Sequence, residues 1–143
     1  MGSSFPHITA ATAAILGILQ MILALYTAGG RGAYKVGLGD GGNAKLLQRI
    51  RAHGNLAENA PLFLILLGLT EMSGQPATLV GAFAAVFLVA RFSHAFGLLI
   101  SSGATPFRFI GVLGTVGCVI GLAIVLGSML ARDTHWLPAL PHM

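Results

Sequence analysis

The sequence predicts an all-α integral membrane protein, one domain over residues 1–143 folded as a four-helix bundle. Three observations lead there. Of its 143 residues, 55% are hydrophobic and 8% charged, with a mean hydropathy of +0.84, whereas an ordinary soluble domain carries about 25% charged residues. Four apolar stretches, Ile8 to Ala28, Leu46 to Thr70, Ala77 to Ser101 and Phe107 to Leu130, approach or exceed the ~20 residues a helix needs to cross a hydrocarbon core. No run of about ten alternating residues marks a membrane β-barrel strand.

The first stretch predicts a permanent span over residues 8–28. It has no positive segment before it and is longer than the apolar core of a secretory signal. The second, over 46–71, is unusual because "RIRAHGNLAEN" puts Arg49, Arg51, His53, Asn55, Glu58 and Asn59 in its first half and unbroken aliphatics after Pro61. The third, 77–101, buries Arg91 and His94 in "AFAAVFLVARFSHAFGLLI". The fourth, 107–130, carries Gly111, Gly114, Gly117 and Gly121. The last two form a G-x-x-x-G of the kind that lets membrane helices approach closely.

Charge placement orients the bundle. Arg31, Lys35, Lys45, Arg49 and Arg51 surround the first connection against one acid, Asp40, while the turn "EMSGQPA" has no Lys or Arg. Positive residues mark the cytoplasmic side, so the loops at 29–45 and 102–106 are expected in the cytoplasm of a multi-pass protein of the bacterial inner membrane. The net charge of +4 is spread over few residues with no basic run, which excludes a nucleic-acid partner on compositional grounds.

Other features read as architecture. Gly37, Gly39 and Gly42 form a literal GxGxxG, but it joins two membrane helices rather than a strand and a helix, so it is a linker. His7, His135, Trp136 and His142 lie near the ends and serve as interfacial anchors. No pair of histidines has ligand spacing on one helix face, so no metal is expected. Cys118 is the lone cysteine, a small packing residue in the fourth span.

The chemistry concentrates in the second and third spans. Arg51, Asn55 and Glu58 fall within about 60° of one another on a helix, a single polar stripe. Depth counting at about 1.5 Å per residue puts Glu58 and Arg91 level, so an ion pair between them is expected, with Asn55 completing its hydrogen bonds. Isolated charges at mid-bilayer cost about 2.5–3.5 kcal/mol on insertion scales, and intramembrane ionisable groups tend to be functional. With Arg31 and Arg108 near the same end, four arginines face one glutamate. That is a cationic pocket for a small anionic ligand, because the guanidinium fork matches carboxylates.

The pattern Arg51-x-x-x-Asn55-x-x-Glu58 followed by a proline-led apolar run resembles the signature of the MAPEG family, the membrane-associated proteins of eicosanoid and glutathione metabolism. The likeness extends over nearly the whole chain, and "GDGGNAKLLQRIRAHGNLAENAPL" is most similar to small bacterial members. The resemblance implies a homotrimer, with glutathione as co-substrate held between subunits and a lipophilic substrate arriving from the membrane lipids. By position it implies that Arg31, Arg51, Asn55, Glu58, Arg91 and His94 bind glutathione. It makes Arg108 the catalytic residue that stabilises the thiolate. The activity implied is that of a glutathione transferase or peroxidase. Asn59, Leu98, Phe109 and Gly32 depart from residues of the eicosanoid-synthase branches and argue against a dedicated synthase. Three alternatives remain: a catalytically idle relative binding an anionic metabolite or lipid, a small transporter, and a purely structural membrane protein, which would tolerate uncharged replacement of Glu58 and Arg91 together. The transporter is disfavoured because the first span carries no acid.

Overall fold

The computed structural model describes residues 5–132, and within them the chain forms four α-helices and no strand. They are α1 (His7–Tyr34), α2 (Ala44–Met72), α3 (Ala77–Ile100) and α4 (Pro106–Arg132). Each apolar stretch of the sequence overlaps one of these helices. His135, Trp136 and His142 lie outside the described residues.

The main difference in extent is at α1, which continues past Ala28 to Tyr34, so Arg31 stands in its last turn rather than in the loop. It ends when Lys35 takes a left-handed conformation at φ 55. The Lys35 and Val36 amides then close on the carbonyls of Gly32 and Arg31, a common way of satisfying the last carbonyls of a helix. The first connection thereby shortens to residues 35–43. At its far end Asn43 caps α2, its side-chain oxygen accepting from the Leu46 amide at 3.0 Å. Between α2 and α3, Gly74 adopts φ 80 to make the turn.

α2 and α3 each pack against all of the other helices. The buried α2 residues Leu56, Ala60, Phe63, Leu67 and Thr70 recur at three- and four-residue intervals, the period of one helical face. Phe63 stacks on Phe87 of α3, ring centroids 3.6 Å apart. Leu16 and Leu23 of α1, Val80 of α3, and Cys118 and Leu122 of α4 complete the core. Ile18, Leu25, Val89 and Ile124 point outward fully or largely exposed, as expected where the solvent is lipid. Four buried threonines, Thr12, Thr27, Thr70 and Thr115, each donate to the carbonyl four residues earlier. Each hydroxyl is thus satisfied inside its own helix, as an apolar surrounding demands.

Three helices, α1, α3 and α4, are long and apolar enough by themselves to cross a membrane. α2 falls short because its first half holds Lys45, Arg49, Arg51, His53 and Glu58. It keeps the length, 29 residues, or about 44 Å, and lies among the other three. The chain is a multi-pass integral membrane protein.

Glycine brings α3 and α4 together, though not through the pair the spacing singles out. A Cβ on Gly111 would collide with His94, and one on Gly114 would sit 2.8 Å from the Ala90 methyl. A Cβ on Gly121 would lie 2.7 Å from the Phe83 ring, whereas one on Gly117 would meet nothing within 4 Å. The contact face is therefore 111, 114 and 121, and Gly117 lies off it.

Candidate functional site

A cleft of about 160 Å³ opens at the basic end of the bundle. The first turns of α2 supply Gln48, Arg51 and Asn55, the end of α3 supplies Leu98, the residue directly after α3 is Ser101, and α4 supplies Arg108. Arg108 is placed by its neighbours. Its backbone amide donates to Thr105 Oγ1 at 3.2 Å, and its guanidinium donates to the carbonyls of Gly103 at 2.6 Å and Ser102 at 3.3 Å. The approach depends on Gly97, where a Cβ would lie 2.8 Å from Arg108 Cγ. On its other side Arg108 borders a second cavity of about 470 Å³ that includes His94, Phe109 and Val112. Arg108 thus stands in a wall shared by a polar cleft and a more apolar hollow.

Arg91 lies behind the cleft, 3% exposed. It donates through Nη1 to Asn55 Oδ1 at 2.8 Å and through Nη2 to the Gly111 carbonyl at 2.8 Å, tying α3 to α2 and α4. Its Nε is buried without a partner. The expected ion pair with Glu58 does not form. The reason is angular: Asn55 and Glu58 differ by about 60° around α2, which aims Asn55 inward and leaves Glu58 exposed. The bare backbone at Gly111 supplies the second acceptor. Glu58 has no hydrogen-bond or ion-pair partner among the described residues.

The remaining expected residues are placed as follows. His94 is buried, with Nδ1 3.3 Å from the Arg108 carbonyl. A carbonyl can only accept, so Nδ1 carries the hydrogen in this contact. Arg31 does not reach the cleft within its own chain; it donates to the carbonyls of Gly39 at 2.8 Å and Gly37 at 3.4 Å and braces the first connection. The structure therefore gathers Arg51, Asn55 and Arg108 around one cleft and sets Arg91 and His94 behind it. Glu58 lies on an outer face, and Arg31 beside the loop.

Two functional contacts are absent from the sequence reading. Arg49 lies over the Tyr26 ring at 3.8 Å and donates to the Tyr26 carbonyl at 3.1 Å, and no local pattern links positions so far apart. Glu71, at the end of α2, accepts from the amides of Ile8 at 2.9 Å and Thr9 at 2.8 Å and from the Thr9 hydroxyl at 2.7 Å. That contact did leave a sign. α1 opens after Pro6 with no capping side chain and no acid in its first turn, so its free amides need an acceptor from elsewhere.

Fold and site together define a polytopic helical membrane protein with an arginine-lined cleft at one end. The chain belongs to the MAPEG family, whose model matches residues 9–128. It is also similar to the inner membrane protein YecN of Escherichia coli strain K12, 38% identical over 64 residues. The protein of the same name from Escherichia coli O6:H1 matches to the same extent. That aligned stretch covers 45% of this chain and 49% of those relatives, so the chain spans about half the length of the relatives it matches.

Proposed function

We propose that the cleft binds glutathione and presents its sulfur as a thiolate to a lipophilic electrophile or hydroperoxide drawn from the membrane. The observation that carries this reading is the convergence of Arg51, Asn55 and Arg108 on one cleft, in a chain of a family that includes glutathione transferases. Arg51 offers a fork to a carboxylate, and the Asn55 amide, its oxygen engaged by Arg91, is left to donate through nitrogen. A free thiol has a pKa of about 8.5, and a neighbouring guanidinium favours its anion. In conjugation the thiolate forms a C–S bond at the electrophilic carbon as a leaving group departs with its electron pair; in peroxide reduction it takes the outer oxygen, the O–O bond breaks to release an alcohol, and a second glutathione converts the resulting sulfenate to disulfide and water. The cavity beside His94 and Phe109 offers the lipophile a place next to Arg108, so that the two reactants meet without free diffusion.

The cleft volume of about 160 Å³ is below the roughly 300–1,000 Å³ of a ligand site for a drug-sized molecule. In the homotrimer that the family resemblance implies, a neighbouring copy would complete the site over exposed Arg51 and Glu58, with the basic loops on the cytoplasmic face of the inner membrane. Arg91 and His94 then act as positioning residues. A second reading, binding of an anionic ligand without turnover, is favoured by Leu98, which gives the cleft wall an aliphatic side chain with no hydroxyl. Ultraviolet difference absorbance of the detergent-purified protein, titrated with glutathione, tests the choice. A saturable thiolate band supports the transferase reading. Calorimetric binding without a band supports the second, and no binding rejects glutathione as the ligand.

A further inference from the structure

A second cationic pocket lies on the other side of α2. Arg49 and Arg51 are two residues apart and so point about 200° apart around the helix, and Arg49 faces α1. There a pocket of about 360 Å³ is lined by Tyr26 and Tyr34 of α1, Lys45, Gln48 and Arg49 of α2, and Leu99 and Ile100 of α3. Arg49 is held by the Tyr26 carbonyl and stacked on the Tyr26 ring, with the Tyr34 ring 5.9 Å away. α1 makes room for it at Gly30, where a Cβ would lie 2.9 Å from Arg49 Nη1.

Among the described residues no carboxylate lines this pocket. Lys45 is exposed and has no hydrogen-bond or ion-pair partner among the described residues. Of the five N–H groups a guanidinium offers, Arg49 spends one on Tyr26. The pocket thus presents an ammonium, a fixed guanidinium, two phenols and an amide, all able to donate, above an apolar floor at the end of a membrane helix. That is the donor set for a phosphate oxyanion at the depth where hydrocarbon meets water. Ile22, one helical turn before Tyr26 and 57% exposed, continues the apolar surface along which an acyl chain would run.

We propose that this pocket binds the phosphate of an anionic phospholipid headgroup, in the leaflet that meets the basic end of the bundle. The proposal does not rest on the glutathione reading: Lys45 and Arg49 do not line the cleft, although Gln48 borders both sites.

The test is native mass spectrometry of the full chain released from detergent containing equal phosphatidylglycerol and phosphatidylcholine. Phosphatidylglycerol should be retained at least tenfold better. Lys45→Gln and Arg49→Gln should each weaken that retention about fivefold, as loss of one surface cation near a lipid headgroup predicts. Lys45 makes no contact that its replacement could unfold, so that variant decides the matter even if Arg49→Gln misfolds. Lys45→Gln should leave any glutathione-dependent absorbance unchanged, which separates the two sites. Equal retention of both lipids, or full retention of phosphatidylglycerol by Lys45→Gln, would overturn the proposal. Binding of millimolar inorganic phosphate that displaces the lipid would overturn the headgroup as the source and leave a soluble phosphate in its place.

Discussion

Arg91 and Asn55 are joined across α3 and α2 by a 2.8 Å hydrogen bond from Nη1 to Oδ1, and this contact sets how the cleft can work. Arg91 is buried, while Asn55 lines the cleft, so the arginine reaches a ligand only through the amide it orients. Arg91→Ala and Asn55→Ala should therefore be non-additive in their effect on glutathione affinity. A double-mutant cycle is expected to return a coupling of about 0.5–3 kcal/mol. Independent losses that sum would show Arg91 contacting the ligand on its own.

The carboxylate of Glu71 provides a second expectation, on stability rather than binding. It takes the place of the missing N-cap of α1 and accepts three hydrogen bonds from Ile8 and Thr9. Losing a helix cap costs about 0.5–2 kcal/mol. Glu71→Ala should lower the melting temperature of the detergent-purified protein, and Glu71→Gln should lower it less, because the amide oxygen still accepts. Equal melting of all three proteins would show that water satisfies the α1 amides as well as Glu71 does.

Glycines on α4 should separate by face. Gly111→Ala drives a methyl group into His94 and towards the Ala90 carbonyl, 2.9 Å away, and displaces the carbonyl that Arg91 uses. Overpacking of this kind costs about 1–3 kcal/mol. Gly117→Ala meets nothing within 4 Å and should be neutral or gain up to about 1 kcal/mol from helix propensity. Thermal melts of the two variants, run side by side, check both signs.

Those contrasts mark the limits of what the sequence alone reveals. Helix number and approximate position follow from hydropathy, because an apolar run of about twenty residues in lipid has one low-cost backbone conformation, whereas the polar last turns of α1 do not. The polar stripe on α2 follows from helical angle. Partner choice does not. Equal depth makes Glu58 and Asn55 both candidates for Arg91, and only the rotation of α2 against α3 selects Asn55. Arg49 stacks on Tyr26 by virtue of how α1 and α2 pack, which no local pattern encodes. Gly121 packs on Phe83 while Gly117 does not, although their spacing marks them as a pair.

Arg108 permits a test that leaves its own side chain in place. Its Cγ and backbone nitrogen approach Gly97 to 2.8 and 2.9 Å of where a Cβ would stand, and Thr105 Oγ1 crowds the same point at 2.8 Å. Gly97→Ala must therefore shift the start of α4 and withdraw the guanidinium from the cleft. If Arg108 stabilises the thiolate while Arg51 holds the carboxylate, Gly97→Ala should reduce the thiolate absorbance at saturating glutathione with little change in dissociation constant. Arg51→Ala should do the reverse, weakening binding by about tenfold or more, as loss of a charge-assisted hydrogen bond worth about 1.5–3 kcal/mol predicts, while saturating absorbance stays near that of the parent. Parallel absorbance and calorimetric titrations of the two variants read both quantities. Equal losses of affinity and thiolate in each would mean that the two arginines act as one undivided charge on the ligand.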